Sequence, residues 1–160
     1  MNTVEAPPEI RIETLTLTAS DGYALAARRY RSPTPARAHI VVGGATAVPQ
    51  GFYKRFAEHA ARRGFDVLTL DYRGIGQSAP PTLKGFRMDY LDWGRLDLAA
   101  GVQAMRQDGM PLYLVGHSYG GHALGLLPRH DWVDGAYTFA TRAGWHGWMS
   151  PLARPCGLAH

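Results

Sequence analysis

The sequence predicts an α/β fold: a mostly parallel sheet entered through an antiparallel hairpin. Three observations predict it. From Ala38 onward, short apolar runs alternate with stretches of helical periodicity, in the order strand, helix, strand, helix, strand, helix, strand. Ahead of them, two alternating segments flank Asp21-Gly22, a dipeptide suited to a tight hairpin turn. Finally, the apolar run from Leu112 to Val115 stops abruptly at Gly116-His117-Ser118-Tyr119-Gly120-Gly121. A buried strand that turns sharply into a helix reads this way.

The elements follow in order. Ile10 to Leu17 and Tyr23 to Tyr30 are the hairpin strands, and Arg31 to Arg37, with Pro33 and Pro35, is a loop. Ala38 to Val42 is a buried strand broken by Gly43-Gly44. Phe52, Phe56, Ala57 and Ala60 recur at helical spacing, and Gly64 supplies the stop. Val67 to Leu70 is the next strand, and the Gly- and Pro-rich stretch from Asp71 to Lys84 is a long loop of the kind that borders sites. Leu91, Leu98, Val102 and Met105 outline a second helix, with Asp89 or Asp92 as its cap. The helix that begins at Ser118 runs to about Leu127, where Pro128 ends it, and Trp132 to Ala140 is the last strand. The tail from Gly144 carries Trp145, Trp148 and Met149 without clear periodicity, so residues 1–147 form the core domain and 148–160 an irregular tail.

Composition narrows the function classes. The 160 residues suit one domain, and 46% hydrophobic content fits a soluble globular protein. The start, Met1 to Glu9, lacks the pattern of a signal peptide, and no apolar run approaches the roughly 20 residues of a membrane helix. The single Cys156 cannot form an internal disulfide, which favours a reducing, cytoplasmic location. The net charge of +4 is scattered rather than striped, which argues against nucleic-acid binding. Neither a cofactor nor a metal is indicated: Gly74-Ile75-Gly76 lacks the third glycine of a dinucleotide loop, and the histidines lack ligand spacing.

The turn at Ser118 carries the chemistry. A serine on so tight a turn needs neighbours without bulk two positions before and after, which Gly116 and Gly120 supply, while Gly121 lets the helix approach the strand. Its bland alternative is a helix cap. His117 beside it reads as a packing residue pointing away from the serine, and Arg73 as a structural hydrogen-bond donor.

Together these parts resemble the amino-terminal half of the α/β-hydrolase fold, in its serine aminopeptidase-like and monoacylglycerol-lipase-like branch. The resemblance is carried by the turn at Ser118, by Gly43-Gly44-Ala45-Thr46 leading through Pro49-Gln50-Gly51-Phe52-Tyr53 into a helix, and by Asp71-Tyr72-Arg73-Gly74-Ile75-Gly76-Gln77-Ser78. It covers about Leu15 to Gly147. By this resemblance Ser118 is the nucleophile attacking the carbonyl of a small acyl substrate, an ester or amide. The Tyr119 amide is one oxyanion donor, and Ala45 or Thr46 supplies the second. The family commonly has His-Gly where this chain has Gly-Gly, so a side chain that braces the loop is absent.

A serine needs a base, and the base an orienting acid, in the chain order Ser, acid, His. After Ser118 the only acids are Asp131 and Asp134, both ahead of the last strand and so on the sheet edge opposite the serine. His122 lies on the serine's own helix, His130 is near the wrong edge, His146 is flanked by tryptophan and His160 ends the tail. The expectation is therefore a fold truncated after about six strands, weakly active or inactive as this chain. An alternative is a non-catalytic module that associates through the exposed edge of its last strand, and a third is complementation by a second chain carrying the missing strands.

Overall fold

The structure, a computed structural model, describes residues 9–141. Six strands form one sheet: β1 (Arg11–Thr18), β2 (Ala24–Arg31), β3 (Ala38–Gly43), β4 (Phe65–Leu70), β5 (Leu112–His117) and β6 (Gly135–Phe139), in the order β1-β2-β4-β3-β5-β6. β1 and β2 pair antiparallel, as does β2 with β4, and the pairs β3/β4, β3/β5 and β5/β6 are parallel. The α/β sheet with an antiparallel entry is thus the one read from the sequence. β3 is buried at every residue, as a central strand covered on both faces must be.

The connections explain where the layers lie. The step from β3 to β4 runs one way along the sheet through α1 (Lys54–Ala61); the steps from β4 to β5 and from β5 to β6 run the other way, through α2 (Ala99–Met105) and α3 (Tyr119–Ala123). Right-handed crossovers then place α1 on one face and the later helices on the other. The two cores follow suit. Tyr53, Ala57, Ala60 and Ala61 pack on Ile40, Val42 and Val67, whereas Val102, Met105 and Ala123 pack with Val41, Leu68, Leu70, Leu112 and Leu114. The crevice between the ends of β3 and β5, where the direction of winding reverses, is the place at which such sheets bind ligands.

Several boundaries differ from expectation. The first helix begins as a 3₁₀ turn over Gln50–Tyr53, and Phe52 (68% exposed) and Phe56 (39% exposed) lie outside the core, since the alanines and Tyr53 bury its inner side. Before α2, a π-helical turn spans Trp93–Leu98 and is widened so that Trp93, Gly94, Asp97 and Leu98 are all buried. Both candidate caps take part in its entry: the Leu91 amide donates to Asp89 Oδ1 and the Asp89 amide to Asp92 Oδ2. α3 stops at Ala123 and continues as a 3₁₀ turn over Leu124–Leu126. β6 starts at Gly135 rather than Trp132, because residues 130–132 form a turn whose Trp132 ring is flanked by the Arg106 and Arg129 guanidiniums, each 4.7 Å from its centroid. The tail with Trp145, His146, Trp148, Met149, Cys156 and His160 lies outside the described residues.

Candidate active site

The register Gly43↔Gly116 brings the ends of β3 and β5 level, so the Gly44–Thr46 loop and the turn at Ser118 leave the sheet side by side. Ser118 has φ 51° and ψ −111°, a conformation that costs a non-glycine residue about 1–3 kcal/mol and persists only where its surroundings impose it. The surroundings do impose it. The Ser118 amide donates to the Phe139 carbonyl at 2.9 Å, and the Ser118 carbonyl accepts from the Gly121 amide at 3.1 Å and from Thr141 Oγ1 at 3.2 Å.

The glycines make this approach possible. A Cβ on Gly116 would meet the Gly121 nitrogen at 2.6 Å, one on Gly120 the Gly43 carbonyl oxygen at 1.9 Å, and one on Gly121 Thr141 Oγ1 at 2.1 Å. Gly120 therefore serves the crossing of α3 over β3, a contact that its place in the sequence does not announce. The Ser118 hydroxyl makes no capping hydrogen bond to its helix; the cap reading fails, and the hydroxyl is left for other use.

Tyr119, the first residue of α3, has its amide among those that a helix leaves unpaired. Its side chain is buried in an aromatic cluster with Tyr72, Tyr90 and Trp93. Burial, with Tyr90 alongside, pushes its hydroxyl up to about 12, and that hydroxyl donates to the Tyr90 carbonyl at 2.7 Å.

Ala45 and Thr46 do not share one role. The Ala45 amide donates to the Tyr53 hydroxyl at 2.8 Å, in a buried hydrogen bond. Tyr53 in turn reaches His117 Nδ1 at 3.0 Å, and burial lifts the Tyr53 hydroxyl above its ordinary value despite the Ala45 amide. So Ala45 is engaged on the α1 side, whereas Thr46 is exposed and bonds through Oγ1 to the Tyr90 hydroxyl. Neither Tyr53 nor Tyr90 was legible as a site residue. They stand 8 and 44 residues from their partners, with no local pattern to link them.

His117 stacks between Phe139, at 4.6 Å, and Phe52, at 6.0 Å, which makes it a packing residue. Asp131 pairs with Arg129, and Asp134 Oδ2 accepts from the Leu112 amide where β5 begins, so Asp134 sits at the edge remote from Ser118. His39 Nδ1 lies 2.6 Å from the Met105 carbonyl, also at a strand start, and His59 reaches Arg63. Among the described residues, no group of His, Cys, Asp and Glu is arranged to hold a metal ion.

The long loop after β4 is tied down from below. Asp71 accepts from the Gln50 amide and Nε2 and from the Gln77 amide. Arg73 has a structural role: it forks onto Asp21 and also binds the wholly buried Asp97 through Nε and Nη2. Burial lifts the Asp97 carboxyl above its ordinary value, against the pull of the Arg73 guanidinium and of the Arg73 amide, which donates to Asp97 Oδ2 at 2.8 Å. The Trp93 indole donates to the Arg73 carbonyl, which seats the aromatic cluster on this network.

Comparison with known proteins agrees with this fold. The family described as serine aminopeptidase, S33 matches residues 34–154. No curated protein sequence matches. Among solved structures, a thermostable carboxyl esterase from Bacillus coagulans in complex with glycerol is similar at TM-score 0.63 and 18% identity, over 81% of this chain and 44% of that one. A soluble variant of monoglyceride lipase from Saccharomyces cerevisiae, in complex with a substrate analogue, is similar at 0.60 and 21%, over 86% and 46%. Brefeldin A esterase, a bacterial homologue of human hormone-sensitive lipase, is similar at 0.66 and 16%, over 93% and 45%. The chain thus spans less than half the length of each of these structures.

Proposed function

The chain belongs to the serine aminopeptidase S33 family and carries part of an α/β-hydrolase fold, and from that premise we propose that it is a serine hydrolase core acting on a carboxylic ester or amide through Ser118. The observation that carries the reading is the strained Ser118 backbone at the crevice between β3 and β5, with its hydroxyl uncommitted to the helix. This is the nucleophile elbow, which aims a hydroxyl at a carbonyl held over the sheet edge. The Tyr119 amide donates to the developing oxyanion, and the Thr46 amide supplies the second bond, since the Ala45 amide is held by Tyr53.

The base and acid that raise serine reactivity come from neither Asp131, Asp134 nor His117, whose partners hold them elsewhere. We therefore place this chain's own turnover far below that of a hydrolase with a complete triad. A fluorophosphonate probe tests the reading. Covalent labelling that disappears in Ser118→Ala supports it, and a wild-type chain that stays unlabelled sinks it for this chain. The single cysteine favours a reducing, cytoplasmic location, and among the described residues no helix is long and apolar enough to cross a membrane.

A second reading, self-association through the sheet edge, is favoured by one specific observation. On the α1 face of the edge strand β6, Tyr137 is 69% and Phe139 38% exposed, and with Val115 they line an apolar pocket against Phe52 and Phe56. Monomeric proteins seldom leave such contiguous apolar surface bare. Size-exclusion chromatography over a range of concentrations decides this: a monomer throughout removes the reading, while a dimer that Tyr137→Lys dissociates upholds it.

A further inference from the structure

We propose that Tyr90 is a positioning residue for the Ser118 chemistry, a crosspiece that fixes the separation of the Thr46 and Tyr119 amides; this deepens the serine hydrolase reading and rests on it. The two amides stand on separate loops, one following β3 and the other following β5, and Tyr90 reaches both. Its hydroxyl shares a 2.5 Å hydrogen bond with Thr46 Oγ1. Its carbonyl accepts from the Tyr119 hydroxyl at 2.7 Å. Because these two groups sit at opposite ends of one stiff residue, the span between the loops cannot change without breaking a bond.

The crosspiece is itself braced. The Tyr90 ring packs edge-on against Tyr119 at 4.4 Å and tilted against Trp93 at 5.1 Å. The Asp89 amide donates to Asp92 Oδ2 and the Asp92 amide to the Asp89 carbonyl, closing a tight turn around Tyr90, and the Trp93 indole anchors the following turn on the Arg73 carbonyl. The loop it steadies needs a brace. Thr46 sits in a turn closed by the Val48 amide on the Ala45 carbonyl at 3.2 Å, and the next residue, Ala47, has φ 59°, so the turn carries strain that a side-chain contact can offset. Tyr90 is 48% exposed, so its hydroxyl competes with water and can be removed without opening the core.

Tyr90→Phe deletes the hydroxyl and keeps the ring and the carbonyl. With a fluorophosphonate probe, the maximal labelling rate of Ser118 should fall about tenfold, part of what losing a whole oxyanion donor costs. The half-saturating probe concentration and Tm should stay at wild-type values. Thr46→Ala should reproduce the loss, and the double variant should be no slower than either single one. A Tyr90→Phe rate equal to wild type overturns the proposal. Should the wild-type chain take no label, the hydrolase reading fails for this chain, and amide resonances decide the crosspiece instead. A Thr46→Ala change that moves the Tyr119 amide only when Tyr90 keeps its hydroxyl upholds it; a Tyr119 amide indifferent to Thr46 overturns it.

Discussion

Replacing Gly120 by alanine puts a methyl group where the chain has left no room. The new Cβ would lie 1.9 Å from the Gly43 carbonyl oxygen and 2.3 Å from its carbon, against 3.4 Å at the start of ordinary contact. Both atoms are backbone, and they belong to a strand buried along its whole length and hydrogen-bonded to neighbours on both sides. No rotamer can relieve the clash. Relief requires α3 to slide off the sheet, which drags Ser118 from the Phe139 carbonyl and Gly121 from its seat against Thr141. An added methylene costs about 1–3 kcal/mol where side chains can yield, so a backbone clash should cost at least the upper figure, about 3 kcal/mol. For a chain of this length that lowers Tm by roughly 6–12 °C. Thermal unfolding followed by circular dichroism measures it, with Gly125→Ala as the control. Gly125 has no atom within 4 Å of its would-be Cβ, so alanine there should be neutral or stabilise by about 0.5–1 kcal/mol. A Gly120→Ala chain melting within about 2 °C of wild type would refute the close-approach argument.

Other perturbations separate function from stability. Ser118→Gly should abolish probe labelling yet raise stability by about 1 kcal/mol, because glycine adopts φ 51° without strain; a lower urea midpoint contradicts this. Tyr53→Phe should cost about 1–3 kcal/mol by orphaning the buried Ala45 amide, and calorimetry showing no loss would mean that water replaces the hydroxyl. Burial alone would raise Asp66, but the Ser32 amide with Arg29 and Arg31 outweighs it and holds the carboxyl below its ordinary 3.8. Its contribution is thus fully present above that value and drains away as pH falls below it. Asp66→Asn should therefore weaken the fold at pH 7 and flatten the fall in urea midpoint below about pH 4; an unchanged acid slope counts against it.

How far the sequence could be read depends on how local each cause is. Strands β3 and β4 were legible because near-complete burial favours apolar runs, and β5 because Leu112 to Val115 is apolar although its burial alternates. Asp21-Gly22 marked the hairpin although the connection is a five-residue loop closed by the Ala19 amide on the Tyr23 carbonyl. The Ser118 turn was legible because the glycines it needs flank it in the sequence. By contrast, the π-helical turn at Trp93 is stabilised by Arg73 and Asp97, which meet only in the folded chain. Phe52 and Phe56 misled because helical spacing reports a shared face and says nothing about whether that face is covered. The sequence placed Ala45 and Thr46 on the loop after β3, but their different hydrogen bonds depend on Tyr53 and Tyr90, whose reach no spacing rule encodes.

The crossing of Gly43 and Gly120 also bears on how such a chain can change over generations. A side chain at Gly120 would meet the Gly43 carbonyl oxygen at 1.9 Å, whereas one at Gly43 would meet Gly120 at 3.1 Å, so the crossing forbids change at the first position and only crowds it at the second. Mutational drift therefore has less freedom on the α3 side of this junction than on the β3 side. The outer stretch from Ala79 to Arg87, where residues such as Leu83 are exposed, lies away from this constraint, and substitutions there leave the crossing untouched.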